Sequence, residues 1–218
     1  MRFLAPTIVL SLCAVFSAAT PMPSAFNPQP DITGFDPSKI YIDGISYAGS
    51  GCKAGSVAIS PSQDWTVVTL AFDSYIASIG PGIPFVERRK NCNINFGLHY
   101  PQGYSVAMFK TDYIGHVDLE DKVDGFLEAN YWFAGQTPPL PPPFRFIWPG
   151  PKAENYYLTD NIAEGAVVWS PCGASTTMNI NTQVYLDSPD PGKSGYITTD
   201  VIDHKVTTKI SIQWKKCP

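Results

Sequence analysis

The residues that could do chemistry in this chain are few and scattered. The stretch YAGSGCKAGS, Tyr47 to Ser56, packs three glycines, a lysine and two serines into ten residues, the composition of a phosphate-cradling loop. Such a loop needs G-x-x-x-x-G-K-[ST] between a strand and a helix. Here Lys53 precedes the last glycine and no helical periodicity follows, so the glycines read as a turn that places Cys52. GISYA, Gly44 to Ala48, mimics a nucleophile elbow, but that elbow sits between a strand and a helix, and Ser46 falls in an alternating strand. The histidines are His99, His116 and His204, none within helix or strand reach of another. Asp187 and Asp190 in LDSPDPGKSG lack the every-second-residue acids of a calcium loop. No metal and no cofactor is expected.

Glycoside hydrolysis needs only two carboxylates, roughly 5 to 9.5 Å apart. The acids available include Asp64, Asp73, Glu87, Asp112, Asp118, Glu120, Asp124, Glu128, Asp200 and Asp203. DVIDHK sets Asp203 beside His204, and VDLEDK sets Asp118 and Glu120 on one face of a strand. Any secreted acidic protein carries such neighbours as a solvated face, so no catalytic residue is assigned. ERRK, Glu87 to Lys90, is a basic knot that reads as solvated loop charge, with dibasic processing at Arg88–Arg89 as the alternative.

The segment NYWFAGQTPPLPPPFRFIWPGPKAENYY gathers aromatic rings around a run of prolines. Proline lowers the entropy cost of holding a loop in one shape, and exposed rings can stack on a sugar or a partner's apolar surface. Trp132, Phe144, Phe146, Trp148, Tyr156 and Tyr157 are therefore the candidate ligand-binding residues. Within the strand, Trp132 lies opposite Tyr131 and Phe133, so one of those faces should be outward. The competing expectation is that the rings pack beneath their own loop.

These groups must be positioned by a secreted fold. Arg2, the apolar run FLAPTIVLSLCAVF and the small residues Ser17 to Ala19 describe a signal peptide over residues 1–19, and no later stretch is long or apolar enough to span a membrane. Removing Cys13 from the five cysteines leaves Cys52, Cys92, Cys172 and Cys217, an even number that reads as disulfides in an exported chain. Of three pairings, Cys52–Cys92 and Cys172–Cys217 join the nearest neighbours, each closing a loop of about 40 to 46 residues, for roughly 3 to 4 kcal/mol. Taking Arg2 from the 15 basic residues leaves 14 against 19 acidic, so the net charge moves from −4 to −5. That balance argues against nucleic-acid or anionic-membrane partners. No N-x-[ST] acceptor occurs, so N-glycosylation is not expected.

Residues 20–38 are too rich in proline for helix or central strand and form an extended lead-in. Residues 39–218 are enough for one domain. Its periodicity is two. Cys92, Ile94, Phe96, Leu98 and Tyr100 alternate with Asn93, Asn95 and His99; Met178, Ile180, Val184 and Leu186 alternate with Asn179, Asn181 and Gln183. Val206, Ile210, Ile212 and Trp214 repeat the pattern, as does VDGFLEANYWF. DWTVVTLAF and GYSVAMFK are further strand candidates. With turns expected at SPSQ, GPGIP, YPQG and SPDPGKSG, the chain reads as an all-β antiparallel sandwich of about 8 to 11 strands, with a barrel as the alternative.

Several segments, in order, resemble one family: ISYAGSGCKAGSV, LAFDSYIASIGPG, RRKNCNINFGLHYPQGY, VWSPCG, NINTQVYL and TTDVIDHKVTTKISIQWKKC. The family is the small secreted proteins, mainly fungal with bacterial relatives, known as domain of unknown function 4360. The resemblance spans about Tyr41 to Cys217 and implies secretion, four cysteines and a β-rich domain, but no activity. The proline insert around Leu140 departs from the family's pattern, and no functional residue is carried over. The expected function is non-catalytic: binding of a cell-wall polysaccharide or an extracellular protein through the aromatic proline-rich loop. A secreted polysaccharide hydrolase and a structural wall component are the alternatives.

Overall fold

Strict alternation leaves each segment one apolar and one polar side, which a strand satisfies and a helix does not. The structure, a computed structural model, describes residues 34–136, 143–163, 167–198 and 206–218. The expected signal peptide, most of the lead-in, the centre of the proline run from Pro138 to Pro142, and Asp200, Asp203 and His204 lie outside the described residues. The strands are β1 (Tyr41–Ala48), β2 (Val57–Pro61), β3 (Val67–Phe72), β4 (Ile76–Ile79), β5 (Arg89–Leu119), β6 (Asp124–Phe133), β7 (Phe144–Pro149), β8 (Lys152–Asn161), β9 (Gly173–Asp187), β10 (Gly195–Thr198) and β11 (Val206–Lys216). All pairings are antiparallel.

The 31 residues of β5 organise the rest. Its first part pairs with β1 on one side and β9 on the other, and β9 continues to β6 and β7. Its second part pairs with β8 on one side and with β11 and β10 on the other, with β3 and β4 outside those and β2 beyond β3. One hydrogen-bonded sheet therefore folds over into two layers. The strand order runs from β2 to β7 without closing among the described residues, which is the sandwich rather than the barrel.

The changeover corrects one expectation. YPQG, Tyr100 to Gly103, is not a turn between two strands but an irregularity inside β5, where the register with β9 breaks between His99 and Tyr104. Pro101 has no N–H to give to a ladder, which suits the point where a strand exchanges one set of neighbours for another. Gly103 supplies φ +88° there.

Both layers send their apolar sides into one core. Ile94, Phe96, Leu98, Met178, Ile180, Leu70, Phe72, Ile210 and Ile212 are all buried in it. Each such aliphatic side chain contributes about 1.5–3 kcal/mol through burial. The Tyr75 hydroxyl reaches across to Thr182 Oγ1 at 3.0 Å, and the rings of Trp148 and Tyr156 meet at 4.7 Å between centroids.

The two disulfides are Cys52–Cys92 and Cys172–Cys217. The glycine-rich turn lays the first onto β5 so closely that side chains are excluded. A Cβ on Gly51 would lie 2.4 Å from the Tyr75 ring, and one on Gly49 would lie 2.1 Å from the Asn91 carbonyl oxygen.

Candidate binding face

The proline-rich segment does not present its rings together. Trp148 is 2 % exposed and Tyr156 5 %, so neither can stack on a ligand. The alternation that puts Phe144, Phe146 and Trp148 on one side of β7 turns that side towards the core. Phe144 stacks on Tyr113, centroids 5.5 Å apart, and Phe146 packs edge-on against Trp148 at 4.8 Å. Tyr157, on the other side of β8, is 60 % exposed but belongs to the opposite layer's outer face. Trp132 remains half-exposed on the outer side of β6, opposite the buried Tyr131 and Phe133. The structure thus disperses the six candidate aromatics and leaves Trp132 alone on its face.

Several of the described carboxylates engage donors. Glu128 takes a bond from Arg145 Nε at 3.1 Å, and Asp64 accepts from the Ser62 hydroxyl at 2.6 Å in a tight turn. Asp112 accepts from Thr159 at 2.7 Å and pairs with Lys110 at 3.0 Å. Burial alone would raise the Asp112 carboxyl, but bonds from Thr159, Lys110 and Tyr157 hold it below the ordinary value. A general acid needs the opposite shift. Asp118 and Glu120 are both exposed, and Glu120 lies past the end of β5. Among the described residues no three His, Cys, Asp or Glu side chains cluster as metal ligands.

What the sheet does assemble is a face of amides. The sequence N-I-N occurs in both β5 and β9, and antiparallel pairing sets the two copies opposite each other: Asn93 faces Asn181 and Asn95 faces Asn179. On the far side of β9, Asn181 faces Asn130 and Asn179 faces Trp132. Ser46 of β1 extends the second row beyond Asn95. Directly opposed side chains in a sheet lie about 4.5–5.5 Å apart at Cβ, so these rows form a continuous surface. The next row is Asn91, Gln183, Glu128 and Arg145, in which Gln183 donates to Glu128 and receives a bond from Arg89.

Two polar atoms on this face stand out. The side-chain oxygens of Asn93 and Asn130, flanking Asn181, are buried and have no hydrogen-bond partner among the described residues. An amide offers both a carbonyl acceptor and two N–H donors, which is the complement of a hydroxyl. The signal for this face is legible in the sequence: the polar positions of CNINF and MNINTQ are amides rather than charges. Reading them only as a wet side passed over their identity.

A family model described as Domain of unknown function (DUF4360) matches residues 38–217. An uncharacterized secreted protein of Arthroderma benhamiae is 40 % identical over 182 residues, covering 84 % of this chain and 74 % of that protein. Among solved structures, TmCBM61 in complex with beta-1,4-galactotriose matches 80 % of this chain and 89 % of its own at 10 % identity and a TM-score of 0.24. The enzymatically active domain of bacteriophage CBA120 tailspike protein 4 matches 83 % of this chain and 20 % of its own, at 13 % identity and a TM-score of 0.21. Neither structural likeness is close enough to say what this chain binds.

Proposed function

This chain belongs to that secreted family of unknown function, and we propose that it is a non-catalytic glycan-binding protein that works outside the cell. The binding surface is the outer face of the β1-β5-β9-β6-β7 layer, with Trp132 at one side of the amide rows. The observation that carries this reading is the Asn93–Asn181–Asn130 row with its two unpartnered carbonyl oxygens. A buried acceptor left without a donor costs about 1–3 kcal/mol, and a sugar hydroxyl laid along the row would recover it once the amides turn these oxygens outward. Sugars offer hydroxyls at the spacing of a polymer, and their apolar ring faces suit a half-exposed tryptophan. A hydroxyl-rich cell-wall polysaccharide fits this surface better than an apolar partner would, because the rows carry amides and not aliphatic side chains.

The test is a pull-down of the secreted protein on insoluble chitin, β-glucan and cellulose, with released sugar assayed in the same tubes. Asn181→Ala and Trp132→Ala should each weaken retention about tenfold, the loss of one or two well-made contacts, while Tyr157→Ala on the opposite layer should not. Sugar release would replace this reading with a hydrolase. Retention that ignores both face variants would mean that the glycan binds elsewhere on the protein.

A further inference from the structure

Apart from Arg2, every arginine of this acidic chain is Arg88, Arg89 or Arg145, and all three line one open groove of about 490 Å³. The groove lies at the end of the amide face. The stacked pair Phe126 and Tyr185 forms part of its wall, with centroids 4.3 Å apart and planes 5° from parallel. Arg145 lies over Phe126 at 5.3 Å and donates to the Tyr185 hydroxyl at 3.0 Å. Arg88 lies over Phe85 at 5.0 Å, a ring that is 78 % exposed.

The charges do not cancel. Glu128 is engaged by Arg145, and Glu87 pairs with Lys90 at 2.7 Å. Asp187 also lines the groove. Among the described residues no carboxylate forms an ion pair with Arg88 or Arg89, whose contacts are Phe85 and Gln183. Two guanidinium groups held beside aromatic walls, on a protein of net charge −4, are a local exception to its own charge. A guanidinium fork matches the two oxygens of a carboxylate, and Arg145, which lines the same groove, already pairs with Glu128 through its Nε.

Resting on the glycan-binding reading above, we infer that this groove selects an acidic polysaccharide by taking the carboxylate of a uronate residue between Arg88 and Arg89. The neighbouring sugars of that chain run on along the amide rows.

The experiment measures binding of the secreted protein to immobilised polygalacturonate, its fully methyl-esterified form, dextran sulfate and poly-L-glutamate at two salt concentrations. The acid polymer should bind at least about tenfold more tightly than its ester, and Arg88→Gln should remove most of that preference while leaving the ester's affinity unchanged. Raising the salt should narrow the gap, since exposed charges are screened. Lys209→Gln, which removes a positive charge from the opposite layer, should change nothing, and melting curves confirm that the variants fold. Equal binding of ester and acid overturns the groove's role while leaving neutral glycan binding intact. Equal binding of dextran sulfate or poly-L-glutamate overturns the uronate assignment. No binding of any polysaccharide, here or on the neutral polymers, overturns both readings.

Discussion

Tyr75, in the link between β3 and β4, hydrogen-bonds Thr182 of β9 at 3.0 Å through the middle of the sandwich. Both residues are buried, and burial pushes the tyrosine hydroxyl well above its ordinary range, so it stays protonated at every pH the protein meets. The same ring fills the space that a side chain on Gly51 would need. One tyrosine therefore joins the two layers and sets the path of the turn that carries Cys52.

Tyr75→Phe should destabilise the fold by about 1–2 kcal/mol, because Thr182 Oγ1 then stays buried without this partner. Thr182→Val alone should cost a similar amount. The double variant should cost less than the sum, since the Thr182 hydroxyl is then no longer left buried without its partner. Urea unfolding of the four proteins reads this directly, and simple additivity would mean that the bond contributes nothing to coupling the layers.

The two tryptophans of the aromatic segment should separate stability from binding. Trp148→Ala opens a cavity in the core and should cost about 3–5 kcal/mol, enough to lower the melting temperature severely in a domain with about 5–15 kcal/mol to lose. Trp132→Ala, half-exposed, should change the melting temperature little and cut glycan retention instead. A large stability loss at Trp132 with unchanged retention would assign that ring to packing.

The fold was largely legible because period two survives any detail of tertiary structure. Every apolar position read from CNINFGLHY and TMNINTQVYL is buried, and the two disulfides are the pairing of nearest cysteines. YPQG was misleading because turn residues report local backbone preference, whereas β5 needs an interruption there to change partners. The binding surface was less legible for a different reason. Aromatic residues are conspicuous in a sequence, yet burial repays their large apolar area, and Trp148 and Tyr156 follow that rule. Amides are inconspicuous, and only the register that sets Asn93, Asn181 and Asn130 in one row gives them a collective meaning.

Cys172–Cys217 fastens the last residues of the chain, beyond β11, to the segment entering β9. Beside it, the Cys217 N–H donates to the Gly103 carbonyl at 2.8 Å, at the irregular point of β5. With a sequence separation of 45, its loss through a Cys172→Ser/Cys217→Ser variant should cost about 4 kcal/mol on the chain-entropy model. Hydrogen exchange should show the extra opening concentrated at β11 and at Gly103–Ser105. Uniform loss of protection across both layers would mean that the bond acts only on the unfolded chain.

Asp112 and Asp160 lie on neighbouring strands but face opposite ways, Asp112 opposite Thr159 and Thr111 opposite Asp160. Asp112 looks outward, and its bonds to Thr159, Lys110 and Tyr157 outweigh burial and hold its carboxyl below 3.8. Asp160 looks inward towards Tyr131, and burial raises its carboxyl above 3.8 despite that hydroxyl. Linkage gives the two opposite signs. The Asp112 contribution is present above pH 3.8 and fades as the pH falls through its lowered folded value. Asp160 favours the fold most below pH 3.8, and that advantage is lost as the pH rises through its raised value. Asp112→Asn should therefore lower the melting temperature at pH 7 and match wild type in strong acid. Asp160→Asn, which holds the neutral form, should raise the melting temperature at pH 7 and converge with wild type at pH 3. Melting curves of both variants from pH 2 to pH 8 decide the matter: a shift of the same sign in the two proteins at pH 7 would contradict the inward and outward environments assigned to these carboxylates.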